Sequence, residues 1–504
     1  MRKRLTALLD RNFSLAVVGV IAVFVMLALG SALTERPGVD EGFFANPALN
    51  LVRKGFMGTT TIETAGTKVE SISRHTYWVM PLHLVLQAGW YKIFGFSLFS
   101  MRAISILWGA LALLAWYAIM RALTGDRRLA LLACALIGSD FLFITIGASG
   151  RMDMMSAALG FAAYASYLSL RGRSLTTAIL SGQSLTVAAG LTHPVGGTLA
   201  FAGLLFLIIY FDRRRLAWKH LLVALVPYAV GALGWGLYIA QEPSSFLPQF
   251  TNNATMNNRM GGFGNPLRAI LDEFTIRYPA VFGLGSHSPG HAGPIYLKVL
   301  ILAAYATAVL GVVFVRQLRR HEGYRALLIL AALYFVILAI LDGQKMSYNL
   351  LYIVPLYGAL LAVFLRWCWT TSAVPRTLVT LCVSGLLVLQ VGGVLYKMKQ
   401  NTYAKGYAPA INFLKRNATP TSIIMGSSAT GFGLGFPDTL VDDVKLGYYS
   451  GKRADFIVVD PEYEGTLEAF KDRQPEVYAY FGKLFNEDFR LVHDEGAYKI
   501  YARR

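Results

Sequence analysis

The sequence predicts a polytopic α-helical membrane protein with about eleven transmembrane helices and a small C-terminal extracytoplasmic α/β domain. Two observations support this fold class. The 504 residues are 55% hydrophobic and 15% charged, with a mean hydropathy of +0.48, and the charges cluster between long apolar runs. After residue 396 the composition changes, because residues 397–504 carry many charges and no spanning run. We therefore predict a transmembrane domain at 1–396 and a soluble domain at 397–504.

The basic residues set the predicted topology. The net charge is +18, and the basic residues lie in short loops between apolar runs, as the positive-inside rule expects. Nucleic acid is therefore not an expected partner, whereas the lipid bilayer is. Arg2, Lys3 and Arg4 place the N-terminus in the cytoplasm, and the long apolar run that follows predicts an uncleaved first helix. The chain shows no eukaryotic sorting signal, which favours a bacterial inner membrane.

The spans follow by alternation along the chain. They are predicted at 13–33, 98–120, 129–148, 154–170, 175–191, 195–211, 221–240, 295–315, 326–341, 350–365 and 378–395. Residues 34–97 form a long first outer loop, in which His75 to Phe96 reads as an interfacial helix because it mixes apolar residues with Trp, His, Gln and Lys. This assignment keeps every basic cluster on one side of the membrane.

The sequence of the C-terminal domain shows patterns typical of both helices and strands. Helical spacing is visible at Ala408–Arg416 and Leu467–Phe485. Short apolar runs predict strands at 422–426, 455–459, 489–492 and 498–501. The glycines of Gly431-Phe-Gly-Leu-Gly435 do not open a helix after a strand as a nucleotide-binding loop would, so we interpret them as turn residues.

Two adjacent acids, Asp40 and Glu41, stand just past the first span in the stretch TERPGVDEGFFANP. Adjacent carboxylates at a membrane surface repel one another and are costly to desolvate unless a metal, a base or a reacting proton compensates. The alternative is a solvated loop that happens to carry two acids. The deciding question is which other polar residues the topology brings to the same side.

The topology places further charged and polar residues at the outer ends of helices or in outer loops. They include Arg74, Arg151, Asp153, His193, Arg259, Lys345 and Tyr348. Taken singly, Arg151 and Asp153 could cap a helix, His193 could end one, and Lys345 could be a loop lysine. Taken together, Arg and Lys suit an anionic lipid phosphate, and a carboxylate suits a proton-accepting base. Asp140, inside a span, reads as an interhelical hydrogen-bonding residue.

The ordered set of motifs resembles the GT-C glycosyltransferases, and among them the protein O-mannosyltransferase-like family 39 enzymes and the lipid A aminoarabinose transferases. The resemblance rests on the acidic pair in a long first loop, Phe94-Gly95, Arg102, GRMD at 150–153, LTHP at 191–194 and QKMSYNLLYIVP at 344–355. It covers roughly residues 10–365. The chain departs from the aminoarabinose transferases where RHTYWVMP, at 74–81, replaces their Glu-Lys-Pro stretch, and where His193 replaces a lysine.

The resemblance implies inverting transfer of a sugar from a polyprenyl-phosphate-linked donor to an acceptor on the outer face, the acceptor being a lipid, a protein or a glycan. Asp40, as the matching first-loop aspartate, would be the general base, with Glu41 and Asp153 as further catalytic acids. Arg74, Arg151, His193, Arg259, Lys345 and Tyr348 are the candidates for holding the donor phosphate.

A divalent metal, Mg²⁺ or Mn²⁺, would use Asp40, Glu41 and Asp153 as its first candidate ligands. Two other functions stay open at this stage. A transporter or flippase would show internal repeats and acids near mid-membrane. A ligase or polymerase of lipid-linked glycans would share the donor chemistry.

Overall fold

The fold is built almost entirely from helices in its first 400 residues. The computed structural model describes residues 2–67, 71–255, 259–284, 296–372 and 374–504, with side chains from residue 13 onward. The helices are α1 (Arg2–Thr34), α2 (Val39–Lys54), α3 (Pro81–Phe94), α4 (Leu98–Thr124), α5 (Arg127–Gly138), α6 (Phe141–Gly147), α7 (Asp153–Leu170), α8 (Leu175–Thr192), α9 (Pro194–Asp212), α10 (Trp218–Ile239), α11 (Pro243–Thr255), α12 (Pro266–Asp272), α13 (Tyr278–Val281), α14 (Val299–Phe314), α15 (Arg316–Arg320), α16 (Glu322–Leu341), α17 (Val354–Thr371) and α18 (Arg376–Gln400).

Each of the eleven predicted spans coincides with a helix or, for 129–148, with the pair α5 and α6. Within the described residues, seven helices are long and apolar enough to cross a membrane, and the α5–α6 pair, bent by 64°, would add an eighth. The three others, α7, α8 and α17, bury much of their surface in the bundle, and the polar residues Ser156 of α7 and Gln183 of α8 face protein instead of lipid. The predicted class, a polytopic helical membrane protein, is confirmed.

The first loop, 34–97, folds into two helices that the sequence did not fully reveal. α2 contains Pro47 and several polar residues, so it shows no clear periodicity, yet it is helical and ends at Gly55, whose φ is 74°. The predicted interfacial helix is α3, but it begins at Pro81 rather than His75. Proline is favoured in the first turn of a helix, where its missing N–H is not needed.

The C-terminal residues form a five-stranded sheet with flanking helices. Its strands are β1 (Ile424–Met425), β2 (Leu440–Val441), β3 (Phe456–Val459), β4 (Phe489–Glu495) and β5 (Tyr498–Arg503), and its helices are α19 (Ala408–Asn417), α20 (Gly431–Leu434), α21 (Pro461–Arg473) and α22 (Pro475–Lys483). The strand order is β2-β1-β3-β5-β4, with β1 parallel to both neighbours and β5 antiparallel to both of its own.

Three details of this region differ from the prediction. The two-residue strand β2 was missed, since so short a run has no visible period. The predicted helix 467–485 is two helices, because Pro475 begins a new one. The glycines from Gly431 onward form the short helix α20 before Gly435 turns the chain with a φ of 82°.

The C-terminal sheet packs directly on α2. One apolar core joins Phe44 of α2 and Leu84 of α3 to Ile411 and Ile500 of the C-terminal region. The approach is closest at Gly42, where an added Cβ would overlap the backbone of Ser428. The helix that carries the two adjacent acids is therefore held between the membrane bundle and the C-terminal sheet.

Candidate active site

Asp40 and Glu41 lie in the first turn of α2 and have different surroundings. Successive residues of an α-helix are separated by about 100°, so adjacent side chains cannot face the same partner. The side chain of Glu41 is 4% exposed, whereas that of Asp40 is 48% exposed. The two acids therefore have different roles.

Glu41 is bound on all sides by the protein. Arg102 of α4 donates from Nε to Oε1 at 2.8 Å and from NH2 to Oε2 at 2.7 Å. The backbone N–H groups of Gly38 and Gly150 donate to Oε2 and Oε1 at 2.9 and 2.7 Å. Burial alone would raise the pKa of Glu41, but Arg102 and these N–H groups hold it below its usual value. This geometry favours a structural role over the catalytic and metal-binding roles expected from the sequence.

Arg102 also completes the end of α1. Its guanidinium donates to the carbonyl oxygens of Ala32, Glu35 and Arg36 at 2.7, 2.7 and 2.9 Å. The carbonyls at a helix C-terminus lack intrahelical partners, and arginine is a suitable donor to them. Arg102 thus fixes the start of α2 to the end of α1. Arg102 belongs to one of the motifs found in the sequence, but no role was predicted for it.

Asp40 pairs with Arg151, and Arg151 joins three of the expected site residues. Its NH1 forms an ion pair with Asp40 Oδ2, and its Nε donates to Asp153 Oδ2 at 2.8 Å. The ring of Tyr348 lies against the same guanidinium, with 3.8 Å between the ring centroid and Cζ. Residues from α2, the α6–α7 turn, α7 and the segment before α17 therefore meet at one point, as the predicted topology requires.

Asp153 is the first residue of α7 and is fully buried. Met152 occupies the N-cap position, so a capping role does not account for the Asp153 side chain. In the part of the chain that the structure describes, Asp153 Oδ1 has no hydrogen-bond partner. A buried carboxylate oxygen without a donor is costly, which points to a partner supplied by solvent or ligand.

His193 and Arg259 lie close to this group. His193 ends α8, shares a hydrogen bond of 3.1 Å between Nδ1 and the Tyr352 hydroxyl, and stacks on the Tyr352 ring. Burial lowers the pKa of His193, Arg151 and Arg259 lower it further, and Asp153 opposes the change. The imidazole is therefore neutral at pH 7, so it would contact a phosphate through a hydrogen bond rather than a full charge.

NH1 of Arg259 donates to Asn253 Oδ1 at 2.5 Å. The backbone carbonyl of Arg259 accepts from Gly343 N at 2.8 Å. These contacts fix the arginine beside the loop that carries Tyr348. Arg259 therefore supplies a second positive charge within electrostatic range of His193.

Two expected phosphate ligands are not brought to this group. Lys345 is buried, and its ammonium donates to Glu273 Oε1 and to the carbonyls of Ala269 and Ala339 at 2.9, 2.8 and 2.7 Å. Three acceptors use all three of its protons, so the geometry assigns Lys345 to holding the loop. Arg74 is exposed and interacts electrostatically with Glu242. The carboxylate of Glu242 also pairs with His75 at 2.6 Å.

Two residues that the sequence did not mark stand beside the site. His83 of α3 is buried next to Asp153 and Arg151, and burial lowers its pKa to about 4. Glu462 of α21 accepts a hydrogen bond from the N–H of Val39, one residue before Asp40, at 3.3 Å. The sequence offered no signal for either residue, because both reach the site through packing of distant segments.

The three acids do not form a metal-binding set. Glu41 uses its oxygens on Arg102 and two N–H groups, and one Asp153 oxygen binds Arg151. No cluster of three or more His, Cys, Asp or Glu that could hold a metal is present in the described residues. The residues therefore do not fit the expected ligand set. Dependence on Mg²⁺ or Mn²⁺ stays a prediction from the sequence.

Asp140, which a transporter would use for coupling, has a structural explanation. Its Oδ1 accepts from the N–H of Phe143 at 2.9 Å and so caps α6 after the bend. Its Oδ2 accepts from the Tyr305 hydroxyl and Gln390 Nε2 at 2.6 and 2.7 Å. Three donors satisfy this buried acid, as an N-cap within a broken span requires.

Comparison with known proteins shows which family and which structures the chain resembles. A family model described as dolichyl-phosphate-mannose-protein mannosyltransferase matches residues 76–235, less than half of the chain. ArnT from Cupriavidus metallidurans, bound to undecaprenyl phosphate, has a similar structure with a TM-score of 0.60 and 15% identity, covering 96% of this chain and 97% of that one. None of the curated protein sequences matches the chain.

A second similar structure is the Archaeoglobus fulgidus oligosaccharyltransferase tethered with an acceptor peptide, with a TM-score of 0.58 and 14% identity, covering 97% of this chain and 74% of that one. These structures establish the fold, and the family match adds a resemblance to the mannosyltransferases over residues 76–235. The resemblance predicted from the sequence is thereby confirmed.

Proposed function

We propose that this protein transfers a sugar, with inversion, from a polyprenyl-phosphate-linked donor to an acceptor hydroxyl. The main support for this proposal is the ion pair between Asp40 and Arg151, which places a solvent-accessible carboxylate next to a cationic group. The similar ArnT structure holds undecaprenyl phosphate. A related Archaeoglobus fulgidus complex, with a TM-score of 0.52, holds a dolichol-phosphate and an inhibitory peptide. Both support a lipid-phosphate donor.

Asp40 is the general base of this reaction. Its carboxylate accepts the proton of the acceptor hydroxyl as that oxygen bonds to the anomeric carbon of the sugar. The bond between that carbon and the phosphate oxygen breaks on the opposite face, so the configuration inverts, as it does in inverting glycosidases. The proton passes from Asp40 to solvent. The products are the glycosylated acceptor and the free polyprenyl phosphate.

Arg151 and Arg259 stabilise the leaving phosphate. Arginine suits this role because its planar guanidinium stays charged and can offer two parallel donors to phosphate oxygens. Neutral His193 and the Tyr348 hydroxyl add hydrogen-bond donors to the same region. Asp153 orients Arg151 through the 2.8 Å bond to Nε and is not a base, since it is fully buried.

The location follows from the same proposal. The donor enters from the bilayer, and the acceptor, a lipid, a protein side chain or a glycan, approaches from the outer face of a bacterial inner membrane. The N-terminus is then cytoplasmic, and the C-terminal sheet on α2 is extracytoplasmic. The basic loops at the other end of the spans support this orientation.

The test compares the wild type with Asp40→Asn in bacterial membranes supplied with polyprenyl-phosphate sugars, and measures release of free polyprenyl phosphate. Asparagine keeps the size of the side chain and removes the base, so we expect release to fall about 100-fold or more. Asp438→Asn is the matched control, because Asp438 is a 79% exposed acid on the C-terminal region, paired with Lys54. Wild-type release by Asp40→Asn would refute the role of Asp40. Movement of the donor across vesicles without any release would instead indicate a transporter.

A further inference from the structure

The end of the bundle remote from Asp40 contains an open cavity of about 520 Å³. The turn from Thr124 to Arg128 lines it together with Phe13 of α1 and Arg366 of α17. Gly125 ends α4 with a φ of 68°, and no atom lies within 4 Å of the position its Cβ would take. The cavity therefore adjoins a backbone turn that leaves open space in front of it.

The cavity lies at the level of the membrane surface. The candidate span Leu98–Thr124 ends at this turn, and Phe13 lies near the same end of α1. The first span has 22 residues between Phe13 and Thr34, so its far end, from which α2 and Asp40 follow, is about 33 Å away. The cavity is therefore separate from the proposed active site and faces the opposite leaflet.

The cavity has an excess of positive charge. The described residues that line it include Arg127, Arg128 and Arg366, and the acid among these described residues, Asp126, is engaged by the protein. Asp126 Oδ1 accepts from the N–H of Arg128 at 2.8 Å and caps α5, while Oδ2 accepts from Arg366 Nε at 3.3 Å. Three arginines around one committed acid favour a ligand with negative charge.

The arginines of the cavity and its position at the membrane surface indicate the class of ligand. Guanidinium groups bind phosphate oxygens with two parallel donors. Basic pockets between transmembrane helices at the cytoplasmic side hold the head groups of anionic lipids. Phe13, a partly exposed residue of α1, offers an apolar surface to an acyl chain below such a head group.

We propose that this cavity binds the phosphate head group of an anionic phospholipid of the leaflet opposite the active site. The lipid joins α1 and α17 to the turn between α4 and α5. Its phosphate contacts the arginines of the α4–α5 turn and Arg366, and its acyl chain lies along α1. The proposal concerns lipid binding alone and does not depend on the glycosyltransferase reaction.

The test measures lipid binding to the purified full-length protein in detergent, by native mass spectrometry, with dioleoyl-phosphatidylglycerol and dioleoyl-phosphatidylcholine as probes. Saturable binding of phosphatidylglycerol is expected, weakened about tenfold or more by the double variant Arg127→Gln/Arg128→Gln. The control is Arg213→Gln/Arg214→Gln, which removes the same charge from exposed arginines that follow α9. Binding to the control variant should stay within about twofold of the wild type.

Three results would overturn the proposal. Equal losses in both double variants would show that diffuse surface charge, not this cavity, holds the lipid. Equal binding of phosphatidylcholine would show that the negative charge of the lipid is not recognised. Displacement of the lipid by millimolar inorganic phosphate, with no loss in Arg127→Gln/Arg128→Gln, would show a free-anion site elsewhere. A thermal unfolding scan of each variant verifies that it is folded.

Discussion

The substitution Arg102→Met tests whether Glu41 is a structural acid. It would leave a carboxylate that is 4% exposed without its cation, and would leave three carbonyls at the end of α1 and just after it without their donor. Breaking a buried ion pair by removing one partner costs roughly 3–5 kcal/mol. The second substitution Glu41→Gln removes the uncompensated charge while its amide oxygen can still accept from Gly38 or Gly150. The double variant should therefore recover about 2 kcal/mol of the loss.

The assay is a guanidinium titration in detergent micelles followed by tryptophan fluorescence. Trp78 reports on α2 directly, because its ring lies 6.1 and 6.3 Å from the rings of Phe43 and Phe44. The midpoint and slope give the free energy of unfolding for each variant. The reasoning is refuted if Arg102→Met unfolds within about 1 kcal/mol of the wild type, or if Glu41→Gln adds a further loss to it instead of restoring stability.

Two further predictions concern the C-terminal sheet. Gly42→Ala should lower the unfolding temperature, with a cost of about 1–3 kcal/mol, because its Cβ would meet the backbone of Ser428; Gly89→Ala, with open space around it, is the control and should not destabilise α3. Burial raises the pKa of Asp442 to about 6 from an ordinary 3.8. The folded state therefore binds this proton more tightly than the unfolded state. The free energy of unfolding should fall by roughly 3 kcal/mol as the pH rises from about 4 to 6. Asp442→Asn should flatten that part of a thermal unfolding series against pH, and an unchanged pH dependence would contradict the assignment.

The sequence predicts the bundle well because lipid imposes a strong pattern on it. A span needs about 20 apolar residues, so its position is visible without knowledge of its neighbours. α2 is the counterexample. It contains Pro47 and mixed polar residues, and its helical form depends on Arg102, on the C-terminal sheet and on α3. Tertiary contacts of this kind leave no periodic trace in the local sequence.

For the candidate site, the sequence predicts which residues lie together but not the chemical state of each one. Topology alone brought Asp40, Arg151, Asp153, His193 and Tyr348 to one side, and the structure brings them together. The chemical state of each residue could not be predicted, because it depends on partners from distant segments.

Lys345 illustrates the point. From the sequence it is a plausible phosphate ligand, but Glu273 and two carbonyls already occupy its ammonium group. A lysine with three fixed acceptors cannot turn toward a ligand without leaving a buried carboxylate unpaired, and that loss would be costly.

The three predicted acids differ in whether their surroundings suit a general base. A base must meet the acceptor, take its proton and later release that proton to water. Glu41 cannot do so, because Arg102 and two N–H groups stabilise its ionised form in a site without water access. Asp153 is fully buried and oriented toward Arg151. Asp40 is the acid that we propose as the base, because nearly half of its side chain reaches solvent while Arg151 holds its carboxylate in place.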